Sequence, residues 1–466
     1  MCTRLAATCC AALLAGLLLT RPARAFDPPV RTPGKVSETH LANGLTVLME
    51  EDRTLPVVSL RLRYRVGARH DPAGKAGLAV LTERMMIQAT KHVGDGDYFR
   101  YLDRAGATRV DQGAGYDATW FQVTVPANRI ALPLWLLSDQ MGFFVERADQ
   151  PLLDQQREML RNERRERKEN APNGLLAEFI QAELLPFAHP YHNPIIGPAA
   201  ELDSLTVGDV QSFHQRWFAP DQAILVLSGH LDRAEAMALI EKYFGPIPAA
   251  RTPAPPAPPA PSLQGETRIE VAARVERPLV SFAWNTPAWF ASGDAEIAVI
   301  GKLLAGMANA LILWKVGDEM KIASRATADY VPRQLVSMLD VRVTLAPDHQ
   351  PQEVITAVGE VLDQLRGQTV RGEQIERATG ERLLSFAMSL ERPSARVEWY
   401  STWRQLTGKA DYSDAEFERY NAVTPQTVRS AASQWLDRNR VVTVVTPTAG
   451  APVCGAVSRV TRSQSP

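Results

Sequence analysis

From Val57 to Val66 apolar and polar side chains alternate, the period of a strand with one face buried. Ahead of it, Asn43-Gly44 stands between apolar runs, a two-residue hairpin signal. The same reading predicts strands at 118–126 and 222–229, and further on at 279–288, 337–347 and 440–447. Between them the period lengthens to that of a helix, at 77–90, 151–170 and 294–315. In 151–170 one stripe holds Leu152, Gln156, Met159, Leu160 and Glu163. The remaining faces, with Arg157, Glu158, Arg161, Arg164 and Arg165, read as solvated surface.

Strands and amphipathic helices recur in both halves, which predicts two α/β or α+β units related by duplication. The segment 246–261 divides them: it holds eight prolines and no strand or helix pattern. Such a spacer favours extended polyproline II, and its 16 residues reach roughly 50 Å at ~3.1 Å each. The expected organisation is a first domain at 33–245, a linker at 246–265, a second domain at 266–448 and a disordered tail at 449–466.

Composition changes this picture only at the N-terminus. The 466 residues are 45% hydrophobic and 22% charged with a net charge of −1, ordinary for a globular protein. Nothing in that balance points to nucleic acid or to an anionic membrane. Residues 1–25, however, carry Arg4, an apolar run from Leu5 to Leu19 and the small-x-small end Ala23-Arg24-Ala25. That is the pattern of an export signal cleaved after Ala25, too short for a stable anchor, and it predicts a periplasmic or secreted protein. Cleavage removes Cys2, Cys9 and Cys10, so the mature chain keeps Cys454 and no internal disulfide framework.

The chemistry concentrates in two helices. Glu83 and Arg84 sit in a face that is otherwise Leu, Val and Met, and Glu163 continues an apolar stripe. A carboxylate facing a core needs a cation or a metal. These residues carry a resemblance. The segment from Gly67 to Thr90, the run Arg161 to Arg165, "HPYHNPIIG" (from His189) and "RWFAPDQAILVLSGHLD" (from Arg216) resemble the pitrilysin/insulinase family of inverted zincins. "DYSDAEFERYNAVTPQTVRSAASQWL", from Asp411, resembles its C-terminal helices. The likeness is strongest to the mitochondrial-processing-peptidase and bacterial branches and covers nearly the whole mature chain.

The resemblance implies an α+β, sandwich-like fold with two homologous insulinase-like domains facing each other as a clamshell. It also implies a broken zinc site. In H-x-x-E-H the first histidine falls on Val80 and the second on Arg84, the glutamate base on Glu83 and the third ligand on Glu163. A glutamate that assists catalysis falls on Gln156. Valine has no lone pair, and a guanidinium repels a cation. Two carboxylates alone make no credible zinc site. Val80, Glu83 and Arg84 share a face by their spacing, so Arg84 is placed to meet Glu163 where the metal would sit. An Arg–Tyr pair of zinc-free bacterial relatives falls on Ala310 and Ser324, with Arg325 and Tyr330 nearby but out of register. Asp111-Gln112 stands where the family's peptide-docking edge has Asn-Ala. His189 and His192 belong to a loop the family uses structurally, and His70 reads as a surface residue.

The function implied is a catalytically inactive homologue, the non-catalytic subunit of a heterodimeric exported zinc peptidase. It would help enclose peptides while an active partner with an intact zinc motif supplies the metal. This chain is then expected to hold no metal or other cofactor of its own. Two alternatives stay open at this point: an active zinc metallopeptidase with rebuilt ligands, and a homo-oligomeric peptide-binding or scaffold protein.

Overall fold

The computed structural model describes residues 35–252, 257–261, 263–368 and 370–463. The expected export segment lies outside them, as do parts of the Pro-rich linker. The first half supplies β1 (Ser37–His40), β2 (Thr46–Glu51), β3 (Val57–Tyr64), β4 (Arg109–Ala114), β5 (Thr119–Pro126) and β6 (Ala223–Gly229). The second supplies β7 (Thr267–Ala273), β8 (Leu279–Thr286), β9 (Ala323–Val331), β10 (Ser337–Leu345), β11 (Val441–Pro447) and β12 (Ala456–Arg462). The two six-stranded sheets have the orders β1-β2-β6-β3-β5-β4 and β12-β7-β11-β8-β10-β9. In each the one parallel pair is the equivalent one, β2 with β6 and β7 with β11. The duplication read from the sequence is therefore present strand by strand. Only the outermost strand differs in origin: β1 precedes its neighbour β2, whereas β12 comes from the end of the chain.

That last strand corrects the expectation of a disordered tail. Residues 456–462 pair antiparallel with β7, Val460 opposite Ile269. The segment mixes Ala456, Val457 and Val460 with polar residues and is largely exposed, so no apolar alternation marks it. Its stabilisation comes from backbone hydrogen bonds to an otherwise open edge, which leave no side-chain signature.

The helix α1 (Leu78–Met86) follows β3, and α2 (Gln150–Arg164) packs beside it; both lie over the first sheet. α3 (Leu176–Leu184) closes this series. α4 (Asp294–Gly301) follows β8 as α1 follows β3, and α5 (Gly372–Leu390) is the counterpart of α2. Each of α1 and α4 is preceded by a left-handed glycine, Gly77 at φ 98° and Gly293 at φ 90°. The left-handed conformation favours glycine at Gly77, where a Cβ would also stand 2.6 Å from Leu202 Cδ2. The continuous helix expected over 294–315 is interrupted. After α4 comes a π-helical turn, Lys302–Gly306, then extended Met307 and left-handed Asn309 at φ 61° before the helix resumes.

The halves are joined by more than the linker. α3 leaves the first half and packs on β8 and β11, burying Leu176, Ile180 and Leu184 against Ile269, Ala283 and Val441. Reciprocally, α6 (Pro393–Leu406) from the second half packs on β3 and β6, burying Val397, Tyr400 and Trp403 against Leu48, Ile224 and Val226. Each such side chain stabilises by about 1.5–3 kcal/mol. This exchange also corrects the reading of β3 as half-buried. Both its faces are buried, because α6 covers the side carrying Arg61 and Arg63. Those two guanidiniums donate to Gln122 Oε1 and Gln405 Oε1, each at 2.6 Å. Burial holds them at about 10 and 9, well below the usual arginine range.

Candidate functional site

Because α1 and α2 lie side by side, the residues assigned by resemblance converge at one corner of the first half, beside the edge strand β4. Val80 and Glu83 are buried on the inner face of α1, at 6% and 4% exposure. Arg84, one residue further round the helix, is partly exposed and donates from Nη2 to Glu163 Oε2 on α2. The other oxygen of Glu163 meets Arg167 at 3.0 Å. Both carboxylate oxygens are thus engaged by guanidiniums.

These residues do not fit zinc. The first ligand position presents hydrocarbon, the second a permanent cation, and the third has both oxygens engaged by guanidiniums. Among the described residues no group of three His, Cys, Asp or Glu side chains is arranged to hold a metal.

With Arg84 paired to Glu163, Glu83 is left buried. Its Oε1 is buried and has no hydrogen-bond partner among the described residues. Burial raises its pKa to about 8, partly opposed by Arg84 and reinforced by Glu163 and Asp111. Near neutrality this carboxyl is held largely protonated. Gln156 is buried as well, at 1% exposure, and its Nε2 finds no partner among the described residues.

The sequence misplaced three neighbours. Met159, read into the buried stripe, is 49% exposed, whereas Arg164, read as surface, is buried. Arg164 donates to both oxygens of Glu178 at 3.1 and 3.0 Å and to Ile196 O at 2.7 Å, tying α2 to α3 and to the loop after it. It follows Leu160 by four residues, so the stripe had in fact pointed at it. His70 is not a surface residue. It is half-buried, packs on the Trp217 ring at 4.4 Å, and burial lowers it to about 3.

The remaining candidates lie apart. His189 Nδ1 accepts from the Tyr191 amide and His192 Nδ1 bonds Leu185 O, both at 3.0 Å, so these rings shape their own loop. Ala310 is buried, and Ser324 and Arg325 are exposed on β9. Tyr330 donates its hydroxyl to Asp294. Asp111, on β4, accepts from Trp120 Nε1 at 3.2 Å. Cys454 is a buried free thiol.

Comparison with known proteins agrees with the two-domain fold. The insulinase (peptidase family M16) profile matches residues 46–199, and the peptidase M16 inactive-domain profile matches residues 204–379. A Helicobacter pylori protein named zinc protease PqqE is 23% identical over 381 residues, covering 80% of this chain and 84% of that one. The crystal structure of a protease from Helicobacter pylori superposes with a TM-score of 0.82 at 19% identity, over 89% of this chain and all of the other. The periplasmic protease PqqL from Escherichia coli gives a TM-score of 0.73 at 16% identity, over 90% of this chain but 48% of its own. This chain therefore spans about half the length of that fold neighbour.

Proposed function

This chain belongs to the insulinase family, peptidase family M16, and from that premise we propose that it is a catalytically inactive member. Its role is the non-catalytic subunit of a heterodimeric, exported zinc peptidase. The observation that carries the reading is the ion pair between Arg84 and Glu163. It fills the corner where the resemblance places the metal, and it uses the one remaining ligand to hold a guanidinium. An active homologue with an intact H-x-x-E-H motif would supply the zinc and the water-activating glutamate. This chain contributes fold and surface, helping to enclose peptides. The half-length relation to PqqL supports a second copy of the same two-domain unit in the working assembly. The export pattern of residues 1–25, with its small-x-small end at Ala25, supports a role for that assembly outside the cytoplasm.

The test is to purify the mature chain alone and together with a co-expressed homologue bearing H-x-x-E-H, encoded next to it. Alone, the chain is expected to carry no stoichiometric zinc and to cleave no peptide. Together, the two should copurify and turn peptides over faster than the homologue alone. One tightly held zinc per chain, lost on Glu163→Gln, would falsify the inactive reading. A partner fully active alone, with no association at micromolar concentration, would replace the subunit by a homo-oligomeric scaffold.

A further inference from the structure

The two halves repeat one plan, so the corner formed by α1, α2 and β4 has a counterpart formed by α4, α5 and β9. In the first half that corner is filled by the side chains of Val80, Glu83 and Gln156. In the second it is open. A cavity of about 450 Å³ lies between α4, α5 and β9, within the size range of small-molecule sites.

The cavity exists because its walls are small. Ala298 and Gly301 on α4, Ala328 on β9 and Ala378 on α5 leave room that larger side chains would take. The π-helical turn Lys302–Gly306 borders it, and Lys302 and Gly306 both line it. Turns of this kind gather at functional positions in helices. Trp289, Tyr330 and Tyr420 supply aromatic surface.

The charged side chains that line it, Lys302 and Arg382, are both cations. Two acids stand behind the wall: Arg419 holds Asp294 at 2.6 Å and one oxygen of Glu416 at 2.7 Å, and the buried Oε1 of Glu416 faces Arg382. Arg382 reaches Glu416 no closer than 3.7 Å, and its buried Nε has no hydrogen-bond partner among the described residues. Lys302 approaches Glu381 at 3.7 Å, on the open side. A guanidinium with donors to spare, set over small and aromatic walls, matches a carboxylate attached to an apolar body.

We propose that this second-half cavity is a binding site for such a group: the terminal carboxylate and last apolar side chain of a peptide, or a free acid of the same chemistry. Arg382 takes the carboxylate, Lys302 adds attraction from the rim, and the aromatic walls take the side chain. The proposal does not depend on pairing with an active homologue, because it concerns the chain by itself.

The probe is N-acetyl-L-phenylalanine, titrated calorimetrically into the mature chain, with its C-terminal amide as control. Saturable binding of the acid is expected, at least about tenfold tighter than the amide. Arg382→Gln should weaken the acid by a similar factor without affecting the amide. Ala328→Leu, which adds bulk to the wall and leaves the charges alone, should abolish both. Lys302→Gln, at a side chain 41% exposed, carries the same test if Arg382→Gln lowers the melting temperature. Phenylpropanoate and a tripeptide ending in phenylalanine separate the two sources: tighter binding of the peptide assigns the site to peptide ends, equal binding to free acids. No saturation by about 10 mM, weaker than any useful recognition, overturns the proposal. So does equal binding of acid and amide, or binding indifferent to both charge substitutions.

Discussion

Arg84 on α1 and Glu163 on α2, 79 positions apart in the chain, form a direct ion pair with side chains 26% and 18% exposed. The pair links the two helices by one charge-assisted hydrogen bond, at the corner where the resemblance places a metal. Its partial exposure places it between the surface and the buried regimes. Removing either partner should therefore cost about 1–2 kcal/mol, above an exposed pair and below a fully buried one. In a double-mutant cycle with Arg84→Met and Glu163→Gln, the coupling should exceed about 0.5 kcal/mol. Additive losses would mean the helices do not depend on the pair.

Returning histidine to both positions tests whether the scaffold itself has drifted. Val80 and Arg84 lie on a helix that still packs against α2, and freeing Glu163 from Arg84 restores an acceptor there. Val80→His with Arg84→His should let the purified chain retain close to one zinc per molecule through gel filtration, read by elemental analysis. Zinc lost as readily as from the parent would show that the backbone no longer holds the three positions at ligand distance.

Glu83 sets a pH dependence of stability. Its folded value, about 8, lies above the ordinary carboxylate value of 4.5. In that window the folded state holds more protons than the unfolded one, so stability falls as pH rises from 4.5 through 8. The loss should be of the order of a few kcal/mol at the alkaline end. Glu83→Gln keeps the shape and removes the titration. The gap in urea midpoint between variant and parent should widen steadily from pH 5 to pH 8.5. A gap independent of pH would show that Glu83 is solvated or paired in the folded protein.

A buried ionic cluster joins the exchanged helix to the first sheet. Arg396 on α6 donates to Glu50 at 2.6 Å and to Asp52 at 2.7 Å, and Ser228 donates to the same Glu50 oxygen at 2.6 Å. Arg396 is 2% exposed. Arg396→Met leaves two carboxylates buried without that cation and should cost about 3–5 kcal/mol. It should also loosen α6 first, seen as faster amide exchange in residues 393–406 than in the rest of the second half. A loss under about 1 kcal/mol would mean that apolar packing alone docks the helix.

The interlocking of the halves changes what the Pro-rich linker does. With α3 and α6 exchanged, replacing residues 246–261 by a Gly/Ser segment of equal length should leave the halves associated and shift the melting temperature by only a few degrees. Independent unfolding of the halves in the calorimeter would show instead that the linker was the principal tie.

The sequence alone marked β3, β5, β6, β8, β10 and β11 and the helices at α1, α2 and α4, through alternation, apolar runs and helical periodicity. Through the resemblance it also implied a broken site, because valine and arginine cannot do the work of imidazole. The resemblance put Glu163 opposite Arg84, and the fold brought them into contact. What only tertiary structure decided depends on surfaces brought together from distant parts of the chain. The burial of Arg61 and Arg63 follows from a helix that begins more than 300 residues later, and local periodicity carries no record of it. β12 is held through backbone hydrogen bonds, so its side chains gave no sign of a strand. The proton on Glu83 and the cavity beside Arg382 depend on which neighbours are absent, and packing in three dimensions decides that, since electrostatics and steric exclusion act through space.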